Sequence, residues 1–197
     1  MIYVSFDTET YVDDTVMPAK MVCGQFAVGK DVRVMLRDEA CAYVRKLLLN
    51  DNVCIVGHHT AFDFSVVAKH RPDLLPLIFA KYRKGLVRCT MTRQRLLNIR
   101  EGDIHFIRVK NKFIKAKYDL GTLSKVYLGR EMDKSEGSVR KRYHEVDDLE
   151  VELWPDDFLQ YALQDARDTL DVFKAQGPDL VSPDEVEQTE SAWDLHL

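Results

Sequence analysis

A run of five consecutive apolar residues in the first third of the chain most constrains its fold. The run is Val53–Gly57, and it is bounded by Asn50-Asp51-Asn52 before it and by two histidines after it. A strand without polar positions is typical of a sheet centre, where both faces are covered. The run therefore predicts an α/β fold, with helices packed on a sheet.

Three strand patterns precede this run: Ile2–Thr10, Met21–Val28 and Asp31–Leu36. Gly29-Lys30 joins the last two as a tight hairpin turn, and the polar segment 11–20 reads as a turn between the first two. Asp38 is the predicted N-cap of a helix that runs to about Leu49. The chain thus begins with the order β-β-β-α-β.

The remainder of the chain is mainly helical in pattern. We expect helices over 61–70, 73–80 and 90–100, a basic β-hairpin formed by 104–109 and 112–117, and a helix from Asp119 to Gly129. Pro155 introduces the strongest helix, 156–176, which Gly177-Pro178 ends. These patterns predict one domain over 1–177 and a helical tail or linker over 178–197.

Composition narrows the class of protein. The chain has 197 residues, of which 46% are hydrophobic and 30% charged, as in ordinary globular domains. It contains no apolar stretch long enough to cross a membrane and no signal-peptide pattern, so we expect a cytoplasmic protein. Its four cysteines are widely spaced, which favours buried thiols over a zinc site.

Charge is distributed unevenly along the chain, although the net charge is only −4. Residues 81–142 carry 18 Lys and Arg against 6 Asp and Glu, whereas 143–197 carry 2 against 16. The basic middle indicates a surface for a polyanion such as a nucleic acid. Solvated helix faces are the alternative explanation of the same pattern.

Four carboxylates are candidates for a catalytic or metal-binding site. Asp7 and Glu9 are two residues apart on the first strand, so both project from one face. Asp63 follows the apolar run, and Asp165 shares a helix face with Tyr161 four residues before it. Four carboxylates of this kind are suitable ligands for hard divalent cations. The alternative for Asp7 and Glu9 taken alone is the solvated end of an edge strand, because a D-x-E pair is a short motif.

Three motifs now stand in order: FDTET near the N-terminus, GHHTAFD about fifty residues later, and YALQD near the C-terminus. Together they resemble the motifs of the DEDD superfamily of 3′–5′ exonucleases. The Tyr four residues before the last Asp resembles the tyrosine branch, which includes ribonuclease D and the proofreading domains of family A DNA polymerases. The resemblance implies a ribonuclease-H-like mixed five-stranded sheet of order 3-2-1-4-5, flanked by helices.

The resemblance also implies roles for individual residues. Asp7, Glu9, Asp63 and Asp165 would bind two Mg²⁺ or Mn²⁺ ions, and Tyr161 would orient the attacking water; a core-packing aromatic is the alternative for Tyr161. The resemblance and the site pattern suggest six residues as contacts for the substrate: Thr8, Thr10, His59, Phe62, Lys125 and Arg140.

His59 departs from the family, which usually has Asn at this position. In the family that Asn helps to hold the end of the substrate, so the exchange is expected to affect substrate binding. His58 reads as a packed loop histidine, and Asp168 as a solvated or capping acid. The segment 125–129 with 133–134 resembles the stretch before the third motif of these exonucleases. Residues 188–197 resemble the helix that begins the polymerase region of phage-type family A enzymes, or form an ordinary amphipathic helix.

The leading hypothesis is a metal-dependent 3′–5′ exonuclease that releases nucleoside monophosphates from single-stranded DNA ends. It would proofread for a family A DNA polymerase domain C-terminal in the same natural chain, in a bacterial or phage-infected cell. Phe62, Phe106 and Tyr127 are candidates for stacking on bases. The alternatives are a freestanding ribonuclease D-like exoribonuclease and a catalytically idle single-strand-binding domain.

Overall fold

The fold is described by a computed structural model over residues 1–13, 16–102, 105–109, 112–131 and 139–177. Its strands and α-helices are, in chain order, β1 Ile2–Asp13, β2 Val16–Val28, β3 Asp31–Leu36, α1 Arg37–Leu49, β4 Val53–Gly57, α2 Thr60–His70, α3 Leu75–Arg83, β5 Val87–Cys89, α4 Thr90–Arg100, β6 Phe106–Val109, β7 Lys112–Lys115, α5 Leu120–Leu128 and α6 Asp156–Ala175. Short 3₁₀ turns at 72–74, 139–141, 143–145 and 151–153 complete the described elements.

The main sheet has five strands in the order β3-β2-β1-β4-β5, as the motifs predict. β1 is antiparallel to β2 and parallel to β4, with Val4 opposite Ile55, and β4 is parallel to β5. Every residue of β4 is buried, in agreement with its uninterrupted apolar sequence. A separate two-stranded sheet, β6-β7, confirms the predicted hairpin, although the side chains of 108–114 lie outside the described residues.

The predicted turn over 11–20 is wrong, because β1 and β2 extend into it as a long antiparallel ribbon. Tyr11 pairs with Lys20, and Asp13 pairs with Val16. Side chains of the ribbon are fixed by a distant acid: Asp147 accepts hydrogen bonds from the Tyr11 hydroxyl at 3.3 Å and from Lys20 Nζ at 2.6 Å. A long-range contact of this kind overrides the local turn preference of polar residues.

The predicted start of α1 needs correction, and the fifth strand had no predicted position in the sequence. Helix α1 begins at Arg37 after an extended Leu36, so Asp38 lies in the first turn and is not the N-cap; its carboxylate is 2.7 Å from Nε2 of His70. Strand β5 has only three residues and leads directly into α4, so it has no sequence pattern of its own. Thr90 is the first residue of α4, as in the predicted helix 90–100.

Helices α5 and α6 begin and end close to the predicted residues. Asp119 caps α5 by accepting a hydrogen bond from the Thr122 backbone N–H at 3.0 Å, and Gly129 ends it with a left-handed conformation at φ 69°. Helix α6 ends at Ala175, one residue before the predicted end. The tail 178–197 and the segment 133–134 lie outside the described residues, so their predictions remain open.

The core lies on both faces of the main sheet. On one face, Val4 and Phe6 of β1 pack with apolar residues of α1, α2 and α3. On the other face, α6 packs against β1, β2 and β3, and places Ala166 and Leu170 against Ala27. The two faces use alternate residues of β1, so Ser5, Asp7 and Glu9 point toward the side on which α6 lies. All four cysteines are buried, as predicted.

Candidate active site

Three of the predicted acids lie together beside the part of β1 that extends beyond its pairing with β4. Asp7 and Glu9 come from β1 and Asp165 comes from α6, and one oxygen of each carboxylate lies within 4.8 Å of the others. Asp63 of α2 lines the same cleft and is attached to β1 through Thr8. Its Oδ1 accepts hydrogen bonds from the Thr8 backbone N–H at 3.1 Å and from Thr8 Oγ1 at 2.6 Å.

The local structure explains why these acids converge. β1 pairs with β4 only as far as Ser5, and the strand then runs beyond the carboxyl end of β4. In open α/β sheets, such carboxyl ends are the usual place for a binding crevice. Ser5 Oγ donates a hydrogen bond of 2.7 Å to the Ala166 carbonyl, which fixes α6 against β1 one residue after Asp165.

Gln25 is a residue of the site that sequence reasoning missed. It lies on β2 directly opposite Asp7 and is completely buried. Its Nε2 donates hydrogen bonds to Asp7 Oδ2 at 2.6 Å and to Glu9 Oε1 at 3.0 Å. The signal in the sequence is a single amide within the otherwise apolar stretch 21–28, but its partner depends on the strand register.

Burial and mutual repulsion shape the electrostatics of the cluster. Burial raises the pKa of Asp7 to about 7, against the opposing effect of the hydrogen bond from Gln25. The pKa of Glu9 lies well above its usual range, first because of burial and then because of the charges of Asp7, Asp165 and Asp63. Such a set of oxygen ligands fits a hard divalent cation, which would relieve the repulsion.

Tyr161 joins the rim of the cleft to the core. It lines the same cleft as Asp165, and its ring also packs against the apolar cluster that contains Tyr143 and Phe158. Burial, followed by the charges of Asp165 and Glu9, raises the pKa of the phenol. The hydroxyl therefore stays neutral at physiological pH and keeps its proton for hydrogen bonding.

The cleft around the acids has a volume of about 1610 Å³. It is lined by five of the six predicted substrate contacts: Thr8, Thr10, His59, Phe62 and Arg140. Lys125 is the exception. It is exposed on α5, and its Nζ is 2.7 Å from Glu131 Oε1. It therefore pairs with Glu131 and lies outside the residues that line the cleft.

His59 has the left-handed conformation, with φ 67°, and is the N-cap residue of α2. It is the one residue other than glycine with a positive φ in the described part of the chain. Asn and His are both enriched in this conformation, so the exchange of the family's Asn for His preserves the backbone. The exposed imidazole stacks on Phe62, with 6.1 Å between ring centroids and 18° between ring planes.

Further residues, outside the six predicted substrate contacts, line the cleft. The guanidinium of Arg95 lies 5.4 Å from the centroid of the Tyr118 ring. Met91, Lys117 and Lys141 line the cleft as well. These residues lie in the basic middle of the chain, where the uneven charge pointed to a polyanion surface without identifying its members.

Asp168 is not solvated, and the prediction of a solvated or capping acid is wrong. It is completely buried, and its Oδ1 accepts a 2.5 Å hydrogen bond from Arg130, which also contacts Asp171 at 3.0 Å. His58 is a partly buried loop histidine as predicted, with Nδ1 2.8 Å from Thr90 Oγ1.

The aromatic candidates for base stacking occupy different places. Phe62 is 39% exposed and lines the cleft. Phe106 is exposed on β6, outside the residues that line the cleft. The Tyr127 hydroxyl donates a 2.7 Å hydrogen bond to Gln94 Oε1, and its ring packs with Leu123 and Val172. Phe62 is therefore the one of these three that the fold places beside the acids.

The architecture is similar to several solved exonuclease structures at low sequence identity. The Nibbler EXO domain of Aedes aegypti matches with a TM-score of 0.62 and 17% identity over 96% of this chain and 85% of that one. Ribonuclease D of Trypanosoma brucei in complex with GMP matches with a TM-score of 0.61 and 13% identity, over 98% and 57%. The catalytic core of RRP6 from the same organism gives 0.57 and 14%, over 98% and 46%.

This chain thus spans about half the length of the ribonuclease D and RRP6 chains and most of the Nibbler domain. A search of curated protein sequences gives no significant match. Within the described residues, none of the helices has the length and apolar character that crossing a membrane requires. The family model for 3′–5′ exonuclease matches residues 1–180, so the chain belongs to the 3′–5′ exonuclease family of the DEDD superfamily.

Proposed function

We propose that this protein is a two-metal 3′–5′ exonuclease that releases nucleoside monophosphates from the 3′ end of single-stranded DNA. The observation that carries the proposal is the convergence of Asp7, Glu9 and Asp165 within 4.8 Å. Asp63 in the same cleft supplies the fourth acid. The low exposure of Glu9 and Asp63, at 5% and 2%, supports a role inside the molecule over that of surface charges.

Asp7, Glu9, Asp63 and Asp165 would hold two Mg²⁺ or Mn²⁺ ions. Such ions, when bound, activate a water for attack at phosphorus and offset charge on the leaving oxygen. The neutral phenol of Tyr161, four residues before Asp165 on α6, is suited to hydrogen-bond and orient that water. Arg140, whose charge acts on Asp7, is suited to pair with the phosphate.

The walls of the cleft favour a single strand with its bases unstacked. Phe62 and His59 form an exposed stacked pair next to Asp63, and the Arg95 guanidinium lies over the Tyr118 ring in the same cleft. Aromatic rings and guanidinium planes bind single strands by stacking, whereas paired bases would not expose their faces. Lys117 and Lys141 add positive charge along the same cleft.

The proofreading part of the proposal rests on the motif resemblance and on residues 188–197, which resemble the start of a phage-type polymerase region. The structural neighbours favour a second candidate. One of them is ribonuclease D of Trypanosoma brucei in complex with the RNA U12, which points to an exoribonuclease. Their identity to this chain is low, so we retain DNA as the leading substrate.

The deciding experiment compares 5′-labelled DNA and RNA oligonucleotides of one sequence, each with a free 3′-hydroxyl, in Mn²⁺ or Mg²⁺. We expect stepwise shortening that is faster on DNA. Faster shortening of RNA would replace the leading substrate by the second candidate. Salt-dependent binding of both strands without any product would instead identify an idle binding domain.

The matched control is a double variant, Asp7→Asn with Glu9→Gln, assayed on the same oligonucleotides. It removes two of the four proposed ligands without a change of side-chain size. Retention of nuclease activity by this variant would contradict the proposed site, whichever sugar the protein prefers. A partial loss in which DNA and RNA rates fall together would leave the substrate conclusion intact.

A further inference from the structure

Gln25 makes contacts that distinguish it from the other buried polar residues of the sheet. Its carboxamide nitrogen carries two hydrogens, and one is directed to Asp7 Oδ2 at 2.6 Å while the other is directed to Glu9 Oε1 at 3.0 Å. On the other side of the amide, Oε1 accepts from Cys23 Sγ at 3.7 Å. One neutral side chain thus connects two acids that repel each other.

The orientation of this amide is determined by its surroundings. If the amide were rotated by 180°, its oxygen would face the two carboxylates, and its nitrogen would face the Cys23 thiol. The observed orientation places donors toward both acids and an acceptor toward the thiol, so all three contacts are satisfied. Gln25 is completely buried, so its polar atoms depend on these protein contacts.

The consequence for the acids is geometric. Each carboxylate has one oxygen held by the Gln25 amide, so rotation of both carboxylates is restricted. Asp7 and Glu9 also lie on one strand, which fixes their Cα separation. Restricted carboxylates need less ordering when an ion binds, and residues that orient metal ligands change affinity strongly when they are removed.

We propose that Gln25 is a positioning residue that holds Asp7 and Glu9 in the arrangement required for metal binding. This inference rests on the proposed function, because it takes Asp7 and Glu9 to be ligands. In the described part of the chain, the hydrogen bonds of the Gln25 side chain go to these two acids and to Cys23. Its loss is expected to weaken metal binding by about 10- to 100-fold.

The experiment measures Mn²⁺ binding to the chelator-treated protein without nucleic acid, by calorimetry or by electron paramagnetic resonance of free Mn²⁺. Gln25→Met keeps the length of the side chain and removes both donors. Gln94→Met is the matched control, because Gln94 is 2% exposed and hydrogen-bonded to Asn98 and Tyr127, outside the residues that line the cleft. We expect about 10- to 100-fold weaker binding for Gln25→Met and an affinity close to that of the unchanged protein for the control.

Unchanged Mn²⁺ affinity in folded Gln25→Met would overturn the inference and leave the proposed function standing. Failure of the unchanged protein to bind Mn²⁺ would instead contradict the proposed function, and the inference with it. If Gln25→Met does not fold, Gln25→Asn replaces it, because its amide is one methylene too short to contact both acids. Unchanged affinity in that variant would equally overturn the inference.

A kinetic measurement separates positioning from a general loss of structure. For a positioning residue, the Mn²⁺ concentration at half-maximal nuclease activity should rise, and kcat should recover in part at saturating Mn²⁺. A loss of kcat that saturating Mn²⁺ does not restore, with an unchanged Mn²⁺ requirement, would contradict the assignment.

Discussion

Neutralising one acid of the cluster should stabilise the metal-free protein while it removes activity. In Asp7→Asn, the side chain keeps its shape, and its amide oxygen can still accept the hydrogen bond from Gln25. The buried charge and its repulsion of Glu9 are lost. Active sites commonly carry a stability cost of this kind, because their charges are arranged for a ligand.

The magnitude follows from the pKa of Asp7, which burial raises from 3.8 to about 7. Each pKa unit corresponds to about 1.4 kcal/mol, so full ionisation of Asp7 costs up to about 4 kcal/mol of stability. Because the pKa is higher in the folded state than in the unfolded state, the folded protein does not bear this cost below pH 3.8. The cost grows as the pH rises to about 7, so stability is lost across this range. Above that pH the difference between variant and unchanged protein should be constant, at about 2 to 4 kcal/mol.

The assay is urea unfolding in the presence of chelator, at several pH values between 4 and 8. We expect the free energy of unfolding of the unchanged protein to fall across this range relative to Asp7→Asn. Added Mn²⁺ should restore the stability of the unchanged protein and have less effect on the variant. Asp148→Asn, at an exposed carboxylate, is the control. Equal stability of Asp7→Asn and the unchanged protein at pH 8 would refute the reasoning.

Three further predictions concern single residues. Tyr161→Phe should lower kcat by about 100-fold, with little effect on KM or on Mn²⁺ affinity, because it removes only the hydroxyl that we propose orients the water; unchanged single-turnover rates would contradict this role. Arg130→Met should lower the free energy of unfolding in urea by about 3 kcal/mol, because it leaves Asp168, at 0% exposure, without this partner. Removal of the surface ion pair of Arg142 is the control, and it should lower the free energy of unfolding by less than about 1 kcal/mol. His59→Asn preserves the left-handed backbone but removes the ring that stacks on Phe62, so KM should change while Mn²⁺ affinity does not, and steady-state kinetics measure both.

The parts of the fold that were predictable are those whose pattern is local. Val53–Gly57 is apolar throughout, and β3 and β4 have the predicted bounds. Helix α5 is preceded by its N-cap Asp119 and followed by the left-handed Gly129, so both of its ends have local conformational causes. The clustering of Asp7, Glu9 and Asp165 was predictable for two reasons. The spacing of these acids along the chain matches a family, and a strand places alternate residues on one face.

The parts that were missed depend on contacts between distant residues. β5 is three residues long and is a strand only because it pairs with β4. Gln25 contacts Asp7 through the register of β2, and the buried Asp168 is paired with Arg130, which lies two residues after the end of α5. No periodicity in a single sequence encodes these pairings, so they required the three-dimensional structure.

Degradation of a 5′-labelled single-stranded DNA by the unchanged protein and by Asp165→Asn tests the central claim most directly. The account predicts a ladder of products that shortens one nucleotide at a time from the 3′ end, with release of nucleoside monophosphates and complete dependence on Mn²⁺ or Mg²⁺. Asp165→Asn and excess chelator should each abolish the ladder, while the variant remains folded. A ladder that persists in Asp165→Asn or in chelator, or cleavage inside the strand, would contradict it.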